Sequence, residues 1–143
     1  MLDKNIINEK LSILLKYLDR LEPVADQTQE QFKTTEIHYL AERYVELIVG
    51  EALDINFHII KEKKLFAPPK YRESFVILGD AGILTSDLAR RIADSAGLRN
   101  LLVHHYDEID LDHFYLGLKP GIADYWRYAQ EIFKYVETES SNE

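Results

Sequence analysis

No cysteine occurs in the sequence. That excludes a disulfide framework, a thiolate metal site and a cysteine nucleophile together. Proline and glycine are scarce, at four and six residues, and the glycines are scattered, so no glycine-rich phosphate loop is present. Long apolar runs are missing as well. The longest are four residues, such as Phe75, Val76, Ile77 and Leu78, against the ~20 that a membrane-spanning helix requires. The first residues, Met1 to Asn5, lack the apolar stretch of a secretory signal, so a cytoplasmic protein without membrane association is expected. No sustained period-two alternation, no low-complexity segment and no 20–50-residue repeat is visible.

What is present suits one folded domain. The chain has 143 residues, 46% of them hydrophobic and 29% charged. A single core organises that length, so residues 1–143 are read as one domain, with 137–143 as a frayed tail. The net charge is −8, from 17 basic and 25 acidic residues. This argues against a protein that coats nucleic acid nonspecifically, and leaves a local basic site open. Residues 61–72 carry Lys61, Lys63, Lys64, Lys70 and Arg72 against Glu62 alone. They form either a solvated face or the rim of an RNA-binding surface.

The apolar spacing is helical throughout. Ile7, Leu11, Leu14, Leu18 and Leu21 form one stripe, with Asp3 as N-cap and Pro23 as an end or a kink. The polar stretch 25–31 is either a connection or a further turn or two. A long helix is expected over about residues 35–63, capped at Thr34 or Thr35, with Gly50 inside it marking close approach of another helix. A short helix follows from Tyr71 to about Asp80, with Gly82 in the left-handed C-terminal turn. Thr85 caps the next, which continues past Gly97 to His104. A turn re-capped at Asp110 or Asp112 precedes a last helix that Pro120 opens. Together these predict an all-α antiparallel bundle of four to five helices.

Standard sites are few. His38, Glu42, Glu46 and Glu51 invite a carboxylate-bridged metal, but a di-metal bundle needs Glu-x-x-His on two helices and none exists here. No metal and no cofactor is therefore expected. The glutamates are read as a solvated face or as partners of Arg43. The remaining candidate is Arg99, Asn100, Leu101, Leu102, Val103, His104, His105, Tyr106 and Asp107. Arginine presents a fixed charge and a donor fork that suits phosphate. Histidine exchanges protons near neutral pH. These groups can cleave a phosphodiester without metal: histidine works on the 2′-hydroxyl or the leaving oxygen, and arginine stabilises the phosphoryl charge.

Geometry constrains that reading. At about 100° per residue, Asn100 and His104 share a face, whereas Arg99 and His104 point about 140° apart. Either the arginine reaches round, or the helix bends, or a second copy completes the site. A two-fold dimer through this helix is the most economical of the three, because like surfaces meet across the axis. The plain alternative is structural, with Arg99 paired to Asp94 or Asp107 and His104 capping a helix end.

Residues 99–106 read R-x-x-x-x-H-x-Y with Asn100 directly after the arginine, and here the sequence resembles the HepT-like toxins of the HEPN superfamily. The likeness extends to Ala41, Glu42, Arg43 and Tyr44, to residues 51–60, to residues 71–78 with Gly82, Ile83 and Leu84, and to Tyr106, Asp107, Ile109 and Asp110. It covers roughly residues 35–115. The resemblance implies a dimeric, metal-independent endoribonuclease that is the toxin of a toxin–antitoxin pair. Its partner would be an MntA-like nucleotidyltransferase antitoxin, which neutralises it by attaching AMP to the motif tyrosine. By position, Arg99 and His104 would be catalytic, Asn100 a polar helper and Tyr106 the AMP acceptor. His105 has no assigned role. The alternative is a non-catalytic, nucleotide-binding helical companion of a nucleotidyltransferase, in which Arg99 holds a phosphate and His104 is structural.

Overall fold

A computed structural model describes residues 3–68 and 70–141. Six α-helices and one 3-10 turn make up its elements: α1 Lys4–Ala25, α2 Gln29–Thr34, α3 Ile37–Glu62, α4 Tyr71–Asp80, α5 Ser86–His104, the turn Tyr106–Glu108, and α6 Leu111–Ser141. The all-α reading holds, and no strand occurs among the described residues. None of the described helices is long and apolar enough to cross a membrane.

The α1 stripe is the clearest case of pattern becoming packing. Ile7, Leu11, Leu14, Leu18 and Leu21 are all buried, and α1 packs against α3 and α6. Each such side chain contributes about 1.5–3 kcal/mol on burial. Pairings fix the directions. Lys10 meets Asp54 while Tyr17 meets Tyr44, so α1 and α3 run antiparallel. Arg91 meets Asp124 and Thr85 meets Glu131, so α5 and α6 do too. A buried polar chain ties three helices together. Tyr128 Oη on α6 lies 2.6 Å from Asn56 Oδ1 on α3, Asn56 Nδ2 donates to Ser74 Oγ on α4 at 3.0 Å, and Ser74 Oγ donates to the Tyr71 carbonyl at 2.8 Å.

Several boundaries differ from the sequence reading. The polar stretch yields α2, capped by Thr28, whose Oγ1 accepts from the Gln31 N–H at 3.1 Å. Its Phe32 is fully buried against Phe114 and Tyr115. Among the described residues there are therefore six helices, where four to five were expected. α1 continues past Pro23 to Ala25. Pro120 does not open the last helix. Asp110 caps α6 instead, accepting from the Asp112 and His113 N–H groups at 3.0 and 3.3 Å. Pro120 lies inside α6, and both it and Leu116, whose carbonyl loses its helical donor, are exposed. Water can serve that carbonyl. α6 runs on to Ser141. Val136 is buried, Lys4 pairs with Glu137 at 3.1 Å and Lys63 pairs with Glu139. Residues 142 and 143 lie outside the described part.

Candidate functional site

α5 delivers the motif. Its buried side, Leu88, Ala89, Ile92, Ala93, Ala96 and Leu102, seats it on the core. Asn100, Val103 and His104 face outward, and Arg99 is half-buried on the flank toward α3. There the guanidinium lies over Gly50. A Cβ added to that glycine would stand 3.5 Å from Arg99 Nε and 3.9 Å from Nη2. Gly50 does mark a close approach, and what approaches is a side chain.

Arg99 has no hydrogen bond or ion pair among the described residues, and its Nε is buried without a partner. Asp94, one candidate for a structural pairing, bonds to Arg72 at 3.1 Å instead. A buried, unsatisfied N–H costs about 1–3 kcal/mol. The guanidinium is thus a fixed positive charge with unspent donors, which an anion would satisfy.

α5 ends at His104, where His105 leaves helical geometry (φ −137°, ψ 47°). His104 is exposed and makes no side-chain hydrogen bond among the described residues. Among the described residues no hydrogen bond or ion pair joins Arg99 to His104: the first lies against α3 at Gly50, and the second is exposed.

The break at His105 sends Tyr106 back onto α3. Its Oη donates to Glu42, lying 3.1 Å from Oε1 and 3.0 Å from Oε2. Glu42 is only 5% exposed. His38 Nδ1 sits 3.2 Å from the same Oε1, and the Tyr39 ring stacks on Tyr106 at 6.3 Å. Burial, then the hydrogen bond and charge of Glu42, hold the Tyr106 phenol well above its ordinary pKa. Thus Arg99 touches α3 at Gly50 and Tyr106 touches it at Glu42, about 12 Å apart along the helix axis.

Glu42 corrects the sequence reading. It is neither solvated nor paired with Arg43, whose partner is Glu46 at 3.1 Å. A signal existed: Glu42, Val49 and Asn56 are seven apart on one buried row, and a polar residue in phase with a core position needs a partner. Among the described residues no group of three or more His, Asp and Glu side chains is placed to hold a metal. Of the basic cluster, Lys63 is tied to Glu139 and Arg72 to Asp94, while Lys61, Lys64 and Lys70 are exposed. Lys61 lies about 28 Å along α3 from Glu42, at the far end of that helix.

A profile described as Ribonuclease HepT-like matches residues 14–132. The chain belongs to the HepT-like ribonuclease family. One HepT relative, the tRNA nuclease HepT of Aphanizomenon flos-aquae (strain 2012/KM1/D3), is 35% identical over 134 residues, 93% of this chain and 91% of its own. The mRNA nuclease HepT of Shewanella oneidensis is 37% identical over 60 residues, 42% of this chain and 45% of its own. Among solved structures, the tri-AMPylated Shewanella oneidensis HEPN toxin in complex with MNT antitoxin superposes with a TM-score of 0.82 at 25% identity, over 90% of this chain and 97% of that one.

Proposed function

We propose that this HepT-like protein is an endoribonuclease, the toxin half of a toxin–antitoxin pair, that it acts in the cytoplasm, and that its chemistry needs no metal. The observation that carries the mechanism is the unpaired Arg99 guanidinium, half-buried over Gly50, on the same helix that ends in the exposed His104. His104 takes the proton of a ribose 2′-hydroxyl. The 2′-oxygen attacks the adjacent phosphorus, the 5′-oxygen leaves, and a 2′,3′-cyclic phosphate results. Arg99 stabilises the charge that builds on the phosphoryl oxygens, and Asn100 holds the phosphate or the histidine. Because Arg99 and His104 diverge within one chain, the working site is assigned to a two-fold dimer through α5, which supplies the missing group from the second copy.

The two HepT relatives are named for different RNAs, so the substrate is proposed as RNA without choosing between transfer and messenger RNA. Lys61, Lys63, Lys64, Lys70 and Arg72 are proposed as an outer RNA-binding rim. The partner is an MntA-like nucleotidyltransferase, and Tyr106 is the position it modifies with AMP. A bulky anion there would compete with RNA for Arg99.

RNA cleavage by the purified protein is expected to survive EDTA and to fall at least ~100-fold in Arg99→Ala and in His104→Ala. Circular dichroism should show both variants folded. Cleavage that persists in both, or that requires a divalent ion, overturns the mechanism.

A further inference from the structure

Tyr106 is a poor nucleophile where it sits, because its phenol is neutral and must lose a proton as it attacks. The group positioned to take that proton is Glu42. Both carboxylate oxygens lie within hydrogen-bond reach of Oη, at 3.1 and 3.0 Å. Tyr39 also lies against that hydroxyl, but Glu42 is the only carboxylate that bonds to it among the described residues. The carboxylate is buried, and its remaining side-chain bond, to His38 Nδ1 at 3.2 Å, fixes its orientation toward the phenol. The titratable groups facing the pair are His38 and Tyr39, both from α3. A carboxylate buried there, held only by the Tyr106 hydroxyl and the His38 ring, is expensive as a structural device. It is well suited to receive a proton.

We infer that Glu42 is the catalytic base for nucleotidylation of its own chain: it accepts the Tyr106 proton as Oη attacks the α-phosphorus of a nucleoside triphosphate presented by the partner enzyme. The Oη–phosphorus bond forms, the bond from the α-phosphorus to the bridging oxygen breaks, pyrophosphate leaves, and the phenolic proton moves to a Glu42 carboxylate oxygen. The toxin thereby contributes a catalytic group to its own inactivation. This rests on Tyr106 being the modified residue, as proposed above.

The test measures transfer of α-labelled ATP to the full-length protein by its partner nucleotidyltransferase, in wild type, Tyr106→Phe, Glu42→Gln and Glu42→Asp, each checked for folding by thermal melt. Glutamine keeps an acceptor for the phenol and removes the base. Labelling of Glu42→Gln is expected to be about 100-fold slower near neutral pH, within the ~10²–10⁴ range of general-base effects. Its rate should climb about tenfold per pH unit above neutrality, as hydroxide replaces the lost base, while the wild-type profile stays flat. A merely structural acceptor would not produce that slope. A wild-type rate or a flat profile in Glu42→Gln overturns the role of Glu42 and leaves modification of Tyr106 standing. Should Glu42→Gln fail to fold, Glu42→Asp decides. Its retracted carboxylate must slow labelling yet keep the profile flat, and an unchanged rate overturns the inference. Label that never reaches wild type, or that persists in Tyr106→Phe, overturns the modification of Tyr106 itself and this inference with it.

Discussion

Arg99 and Gly50 form a matched pair across two helices. The glycine leaves a bare patch of α3 that the guanidinium covers, and the 3.5 Å spacing makes the consequence of substitution graded. An alanine Cβ would sit in ordinary contact, and alanine favours a helix interior over glycine by about 0.5–1 kcal/mol. Gly50→Ala is therefore expected to raise the melting temperature and to leave RNA cleavage within a few-fold of wild type. Gly50→Leu would push the guanidinium off its seat. Misplacement of a positioned group by about 1 Å costs on the order of 100-fold, so cleavage should fall by about that factor in a protein that still melts cooperatively. Equal activity in both variants would show that Arg99 does not act from this position. The arginine was legible in the sequence through its motif spacing. Its partner glycine showed only as an unexplained cost inside a long helix.

At the scale of elements, the C-terminus of α3 carries a visible strain. The Leu65 N–H reaches the Ile60 carbonyl at 2.9 Å and the Lys64 N–H reaches the Lys61 carbonyl at 3.2 Å, the paired bonds of a Schellman motif. Lys64 occupies its left-handed position, at φ 54°. The same motif at the end of α4 uses Gly82, at φ 78°. A residue with a Cβ pays roughly 1–2 kcal/mol in that conformation. After the loss of unfolded-state restriction is subtracted, Lys64→Gly should stabilise the protein by about 0.5–1 kcal/mol. A urea titration reads this as a higher midpoint at unchanged slope, and a lower midpoint would contradict it. The α4 end was predictable because glycine announces such a turn. The α3 end was not, because lysine does not. Pro120 misled for a related reason: proline marks a helix start statistically, yet here the Asp110 cap lies ten residues earlier and the proline faces solvent.

For the whole molecule, the decisive question is whether the site is shared between two chains. Arg99 leans on α3 while His104 points outward, so a shared site makes an unusual demand. Mixing Arg99→Ala protein with His104→Ala protein, each inactive alone, should restore cleavage, because a mixed dimer rebuilds one complete Arg–His pair. With random exchange the recovered activity should approach about a quarter of wild type. No recovery, with dimers verified by sedimentation, would confine each site to one chain. The charge of −8 belongs to this scale too. RNA must reach a local positive centre through an acidic field, so association should depend on Arg99 and the exposed lysines rather than on the surface at large.

The sequence by itself determined the helical class, the buried stripe of α1 and the order of the catalytic candidates, since periodicity and motif spacing are local properties that survive in one dimension. It could not determine which faces meet. Glu42 reads as one more surface carboxylate until α5 breaks at His105 and folds Tyr106 back onto it, and Gly50 reads as a weak point until Arg99 covers it. Both partnerships join residues 49 or 64 positions apart, and only the antiparallel packing of α3 against α5 brings such distant groups within a few ångströms.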